Sequence, residues 1–251
     1  MAPTGQRWGN PLYRWDRMAD EDYAWWSARL KRALNQADVF RIDHFRGFAG
    51  YYEIPASCPT AEDGVWVPGP GKALFESIER TLGHLPIVAE DLGLITEDVI
   101  ELRDGFEFPG MKILQFGFGS DASDDFLPHN WARNFVAYTG THDNDTVRGW
   151  WLGATERERA YAGSYLATDQ AHVHWAMIRA CCNSVANIAV FPLQDVLGLD
   201  GAHRMNVPGT VGPHNWTWRF DWQWLGSEPA RVLGLISAAS GRGPLELLKL
   251  P

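Results

Sequence analysis

Short, mostly apolar runs recur along this chain at residues 39–43, 86–90, 111–116, 135–138 and 188–191. They are rich in Val, Ile, Phe and Tyr and too brief for helices, so they read as strands buried in a parallel sheet. Between them the apolar spacing widens to that of a helix. Tyr23, Trp26, Leu30 and Leu34 predict a helix opened by Asp20 and running to about Asn35. Leu74, Phe75, Ile78 and Leu82 form the stripe of a helix over 72–82, stopped by Gly83. Thr96 is expected to cap a short helix ended by Gly105, with Glu97 and Asp98 favourable in its first turn. Thr155-Glu156-Arg157-Glu158 has the form of a capping box. Further helices are expected over 170–184 and 229–240. Residues 1–19 and 47–71 are broken by Gly and Pro and read as loop.

Strand and helix alternate through this order, which predicts an α/β fold with parallel pairing. Five strands do not close an eight-stranded barrel. The sheet is either open or the rear part of a barrel. Asp43 and Glu90 each close a strand, and Asp143 follows another after a short loop. Such fold classes keep their chemistry at the carboxyl ends of strands, so a site made of carboxylates is expected.

Composition narrows the partners. A formal net charge of −9 argues against nucleic acid and anionic membranes. No apolar run is long enough to span a bilayer. No charged segment followed by an apolar one opens the chain, so no signal peptide is expected. Cys58, Cys181 and Cys182 are odd in number and too few for a disulfide framework, which fits a reducing cytoplasm. The 13 tryptophans are many for 251 residues. More than half are expected in the core, and some of the rest are candidates for flat platforms under sugar rings. Trp8, in Gly5-Gln6-Arg7-Trp8-Gly9-Asn10-Pro11, is the first of these, because nothing around it has core periodicity.

If the strands ending in Asp43 and Glu90 are neighbours, their backbones lie about 4.8 Å apart. Their carboxyls can then approach to roughly 5–5.5 Å, the separation used by retaining glycoside chemistry. Arg41 lies two residues before Asp43, on the same face, where its charge would keep Asp43 ionised as a nucleophile requires. Glu90 would need the opposite, a raised pKa, to donate a proton. The bland alternative for each acid is a cap or an ion pair, and it is weaker for two consecutive acids, Glu90-Asp91. His142 offers a donor to sugar hydroxyls beside Asp143, which could hold a distorted ring. His172 and His174 face different directions on a helix and make a poor metal pair. Cys181-Cys182 reads as core. No zinc spacing, phosphate loop or dinucleotide fingerprint is present.

Three blocks carry a resemblance: Arg41-Ile42-Asp43-His44-Phe45-Arg46-Gly47, Ala89-Glu90-Asp91-Leu92-Gly93, and Tyr138-Thr139-Gly140-Thr141-His142-Asp143-Asn144-Asp145-Thr146. With Gly5–Tyr13, Pro109-Gly110-Met111-Lys112 and Asn215-Trp216-Thr217-Trp218-Arg219, they resemble the amylomaltases, the 4-α-glucanotransferases related to the α-amylase superfamily. The resemblance implies a (β/α)8 barrel represented by about strands four to eight, residues 1–251 being its C-terminal portion. It implies transfer of α-1,4-glucan segments by a retaining double displacement in starch, glycogen and maltose metabolism. Asp43 would be the nucleophile, Glu90 the acid/base and Asp143 the stabiliser of the sugar. Arg41, His142, His44, Asn144 and Trp8 would contact substrate, with Trp8 on a mobile loop at the acceptor side. No metal or organic cofactor is expected. An N-terminal half or a second copy is expected to complete the barrel, because the resemblance assigns no residues here to strands one to three. A glucan-binding remnant and an α-glucan hydrolase are the alternatives.

Overall fold

The structure is a computed structural model that describes residues 4–248. It divides into two compact units, residues 1–111 and 112–251.

The first unit is built on a parallel pair, β1 (Phe40–Ile42) and β4 (Ile87–Ala89). Phe40 pairs with Ile87, Arg41 with Val88 and Ile42 with Ala89. The ladder continues past the strands: Glu90 N–H donates to Ile42 O at 2.9 Å, and Phe45 N–H donates to Glu90 O at 3.0 Å. Helices α2 (Ala24–Leu34), α3 (Gly71–Leu82) and α4 (Glu97–Gly105) belong to the same unit. Its core is aromatic, with Phe45, Phe75 and Phe108 fully buried and Trp26 and Phe48 packed edge-on. The strand pair, the stripe of α3 and the stripe of α2 agree with the sequence pattern.

The departures in this unit have local causes. Asp20 ends a short helix, α1 (Trp15–Asp20), instead of opening α2. The turn between them passes through Asp22 and Tyr23 with φ of 48° and 53°, and Asp22 ion-pairs with Arg80 at 2.8 Å. Residues 47–71 are not all loop. They contain a hairpin of β2 (Gly50–Glu53) and β3 (Val65–Pro68), whose Tyr52 lies opposite Trp66. Its long proline-bearing connection hides it from a reading by turn signals. A Cβ on Gly64 would lie 2.3 Å from the Tyr52 ring, so glycine is required where the connection meets the ring. Thr96 stands at the N-cap of α4, but its hydroxyl donates to Asp98 and caps no backbone N–H.

The second unit holds a three-stranded sheet in the order β5 (Gly110–Ile113), β6 (Phe135–Tyr138), β7 (Ile188–Val190), with β6 and β7 parallel. The unit boundary falls inside β5. This strand is shorter than expected, because Leu114–Phe118 winds into a 3-10 turn that buries Leu114 and Phe118. Helix α5 (Val147–Gly153) follows β6, and Thr146 caps it by accepting from Gly149 N–H at 3.0 Å. The helix is short, and Gly149 and Gly153 blur its pattern, so periodicity does not reveal it. Next come α6 (Glu156–Leu166) and α7 (Val173–Asn183). The capping box of α6 forms in both directions, Glu158 N–H to Thr155 Oγ1 and Thr155 N–H to Glu158 Oε2. Cys181 and Cys182 of α7 are buried in the core, and burial raises both thiols. A one-turn helix, α8 (Leu193–Val196), falls where loop is expected, and α9 (Ser227–Ala239) packs on α7.

Six of the 13 tryptophans are exposed: Trp8, Trp25, Trp66, Trp216, Trp222 and Trp224. No helix among the described residues is long and apolar enough to cross a membrane.

Candidate active site

The β1–β4 register sets Asp43 and Glu90 level with each other, one residue beyond their strands. The two acids then meet different surroundings. Asp43 is exposed, and its Oδ1 accepts from Arg41 Nη2 at 2.8 Å. Glu90 is largely shielded. Its Oε2 accepts from His44 N–H at 2.6 Å and its Oε1 from Leu92 N–H at 2.8 Å. Burial raises the Glu90 pKa above the ordinary glutamate range. The Leu92 and His44 donors and the Arg41 charge pull the other way, and the negative charge of Asp43 adds to the rise. One carboxylate is thus open and paired to a cation, while its neighbour holds a proton more readily. That is the division of labour a nucleophile and a general acid require.

His44 supplies its backbone to Glu90 from a left-handed conformation with φ 51°, and its side chain is exposed. Arg46 is buried, donates to Leu94 O and lies 4.1 Å from the centre of the Trp66 ring. It fastens the loop after β4. Asp91 has a structural role. Its Oδ1 accepts from Met111 N–H at 2.7 Å and its Oδ2 ion-pairs with Arg103 at 2.5 Å, both side chains buried. This is the reason for two consecutive acids: Glu90 faces the site and Asp91 faces the core. Trp8 is exposed between Gly5 and Gly9, both at positive φ, and its indole N–H donates to Gln6 at 3.3 Å.

The second unit carries its own cluster on the loop after β6. His142 Nε2 is 3.3 Å from Asp143 Oδ2. Asn206 donates to Asp143 Oδ1 at 2.7 Å, and Arg204 donates to the Asp143 carbonyl at 2.6 Å and, through Nε, to Asn206 O at 2.7 Å. The imidazole of His142 lies 5.1 Å from the exposed ring of Trp216. Trp216 is held at φ 61°, with its N–H donating to Met205 O at 2.8 Å. A carboxylate, an imidazole and an aromatic face therefore share one surface, a combination suited to sugar hydroxyls and the C–H face of a ring. Asn144 shapes the loop, its Oδ1 accepting from both Thr141 N–H and Thr141 Oγ1 at 2.9 Å. Arg204 and Asn206 went unread in the sequence, since they lie in irregular chain far from Asp143 and no spacing links them. Among the described residues, no group of three or more His, Cys, Asp or Glu could hold a metal ion.

Comparisons agree on one family. The model of glycoside hydrolase family 77, described as 4-alpha-glucanotransferase, matches residues 1–224. The chain is 51% identical over 226 residues to the 4-alpha-glucanotransferase of Thermus thermophilus, covering 87% of this chain and 45% of that protein. It is 48% identical over 244 residues to that of Synechocystis sp., covering 96% and 48%. The chain therefore spans less than half the length of these relatives. Among solved structures, the amylomaltase from Streptococcus agalactiae in complex with acarbose superposes with a TM-score of 0.92 at 40% identity, over 96% of this chain and 49% of that one. The amylomaltase from Corynebacterium glutamicum, at 20% identity and a TM-score of 0.75 over 95% of this chain and 40% of that one, shares the fold. With the family model covering most of its length, this chain belongs to the 4-alpha-glucanotransferase family, glycoside hydrolase family 77.

Proposed function

We propose that this chain carries the catalytic carboxylates of a 4-α-glucanotransferase, which moves α-1,4-glucan segments between maltooligosaccharides by a retaining double displacement. The observation that carries the reading is the pairing of β1 with β4, which sets an exposed, Arg41-paired Asp43 level with a shielded Glu90 of raised pKa. Asp43 attacks the anomeric carbon of the donor sugar while Glu90 passes its proton to the departing glycosidic oxygen. The glucosyl ester on Asp43 is then attacked by the 4-hydroxyl of a second glucan, whose proton returns to Glu90. Sugar-contacting roles are assigned to Asp143, His142 and Asn144 in the second unit and to Arg41 and His44 in the first. Trp8 is assigned to the acceptor side, where an aromatic cover that keeps water out favours transfer over hydrolysis.

The chain would supply about strands four to eight of a (β/α)8 barrel, in agreement with its less-than-half coverage of its relatives. Val39 before β1, and Ile188 and Val190 of β7, are exposed apolar residues of the kind that strand neighbours cover. The partner is then the remaining half of such a barrel, or a second copy. Incubation with maltotriose, of the chain alone and mixed with the N-terminal half of the Thermus thermophilus relative, tests both parts. Glucose together with longer maltooligosaccharides is the expected product pattern. Glucose and maltose without longer chains would make the protein a hydrolase. Maltooligosaccharide binding without any redistribution, in both arrangements, would make it a binding remnant.

A further inference from the structure

We infer that Asp195 is a positioning residue for the loop that carries His142 and Asp143, an inference that rests on the role proposed above for Asp143. Asp195 sits in α8, just beyond β7, and is 1% exposed. Its Oδ2 accepts from Thr139 Oγ1 at 2.6 Å and its Oδ1 from Val147 N–H at 2.7 Å. Thr139 is the residue after β6, and Val147 is the first of α5; both are fully buried. One carboxylate therefore ties together the two ends of the 140–146 loop, an oxygen for each.

Other bonds make the loop's shape depend on those ends. Gln115 donates from Nε2 to Asp145 O at 2.9 Å, and Asp145 Oδ1 accepts from Thr146 N–H at 2.8 Å. The Asn144–Thr141 bonds close the turn between them. His142 and Asp143 project from this frame into solvent-facing positions. A leucine at 195 would leave the Thr139 hydroxyl and the Val147 N–H buried without acceptors. Burial pushes the Asp195 carboxyl up to about 6, against the lowering by the Thr139 and Val147 donors and with a further rise from the charge of Asp145. A buried carboxyl is costly unless its oxygens are hydrogen-bonded, and here each oxygen accepts from one end of the loop.

The test compares the full chain with Asp195→Ala, Asp195→Asn and Thr139→Val, by hydrogen–deuterium exchange of peptides across 139–147 and by maltotriose redistribution with the N-terminal half supplied. In Asp195→Ala the amides of 140–146 should exchange about tenfold faster, with β6, β7 and α7 unchanged. Turnover should fall about 100-fold, with little change in KM. Asp195→Asn should recover most of both, because its amide oxygen still accepts from Val147 and its NH2 can donate to the Thr139 oxygen. Unchanged loop exchange in Asp195→Ala, or acceleration spread evenly over the unit, would overturn the inference. If that variant does not fold, Thr139→Val decides: acceleration confined to 139–147 supports the tie, and none overturns it. A wild-type chain that redistributes nothing defeats the proposed function, while the exchange comparison still decides whether Asp195 fixes the loop.

Discussion

The carboxylates of the two units are held by different means. Asp43 and Glu90 stand one residue past a parallel strand pair, and the ladder that aligns them continues through the Ile42 and Glu90 carbonyls. Asp143 stands on a loop, and its position is imposed by side chains from elsewhere in the chain: Asp195 at the loop's ends, Asn206 on the carboxylate and Arg204 on the carbonyl. Backbone pairing fixes a pair of groups with few supporting side chains. A loop-borne group needs several, and each is a separate point of failure.

Breaking the strand-end pair should have the largest effect. Asp43→Asn removes the proposed nucleophile and should lower transfer by roughly 10⁴-fold or more, measured as maltotriose redistribution. Glu90→Gln should cost about 10²–10⁴-fold. It should also remove the basic limb of the pH profile. The proposed donor, Glu90, must be protonated to act, and its pKa lies above the ordinary glutamate range, so wild-type activity should fall as pH rises through that raised value. An identical basic limb in Glu90→Gln would assign the titration to another group.

The next effect is on stability. Asp91→Ala leaves Arg103 with Asp104 as an ion partner but deprives the buried Met111 N–H of its acceptor, and should destabilise the first unit by about 1–3 kcal/mol in denaturant unfolding. Asn206→Ala probes the loop-borne carboxylate alone, since it removes a single bond to Asp143 Oδ1. It should lower turnover about tenfold and leave the unfolding midpoint nearly unchanged. The smallest effect is expected from Thr155→Ala. It breaks the capping box of α6, which is remote in function, and should cost about 1 kcal/mol of stability with no change in turnover.

The same difference explains what could be read in the sequence. All five expected strands are present, and the Thr155 capping box forms, because these signals are local and repeat at short spacing. Asp43 and Glu90 were legible because an acid after an apolar run marks a strand end. Asp91 was legible as an oddity, but its partners Arg103 and Met111 become visible only when the chain folds. Asp20 was misread because the following turn uses positive φ at Asp22 and Tyr23, which an acid before an apolar stripe does not announce. The β2–β3 hairpin was hidden by its long connection. Asp195, Arg204 and Asn206 lie far in sequence from the loop they hold, and neither periodicity nor motif spacing carries that relation.

On the proposed mechanism, Asp43 forms a covalent glucosyl ester while Glu90 handles the proton. Trypsin cuts after Arg41 and Arg46, giving a peptide of residues 42–46 whose only side-chain carboxylate is Asp43, whereas Glu90 falls within residues 81–103. The direct measurement is trapping with a 5-fluoro-α-glucosyl fluoride in the presence of the N-terminal half, followed by tryptic peptide mass spectrometry. A fluoroglucosyl adduct is expected on the 42–46 peptide of the wild type and none in Asp43→Asn. An adduct on the 81–103 peptide, or on the peptide bearing Asp143, would contradict that mechanism.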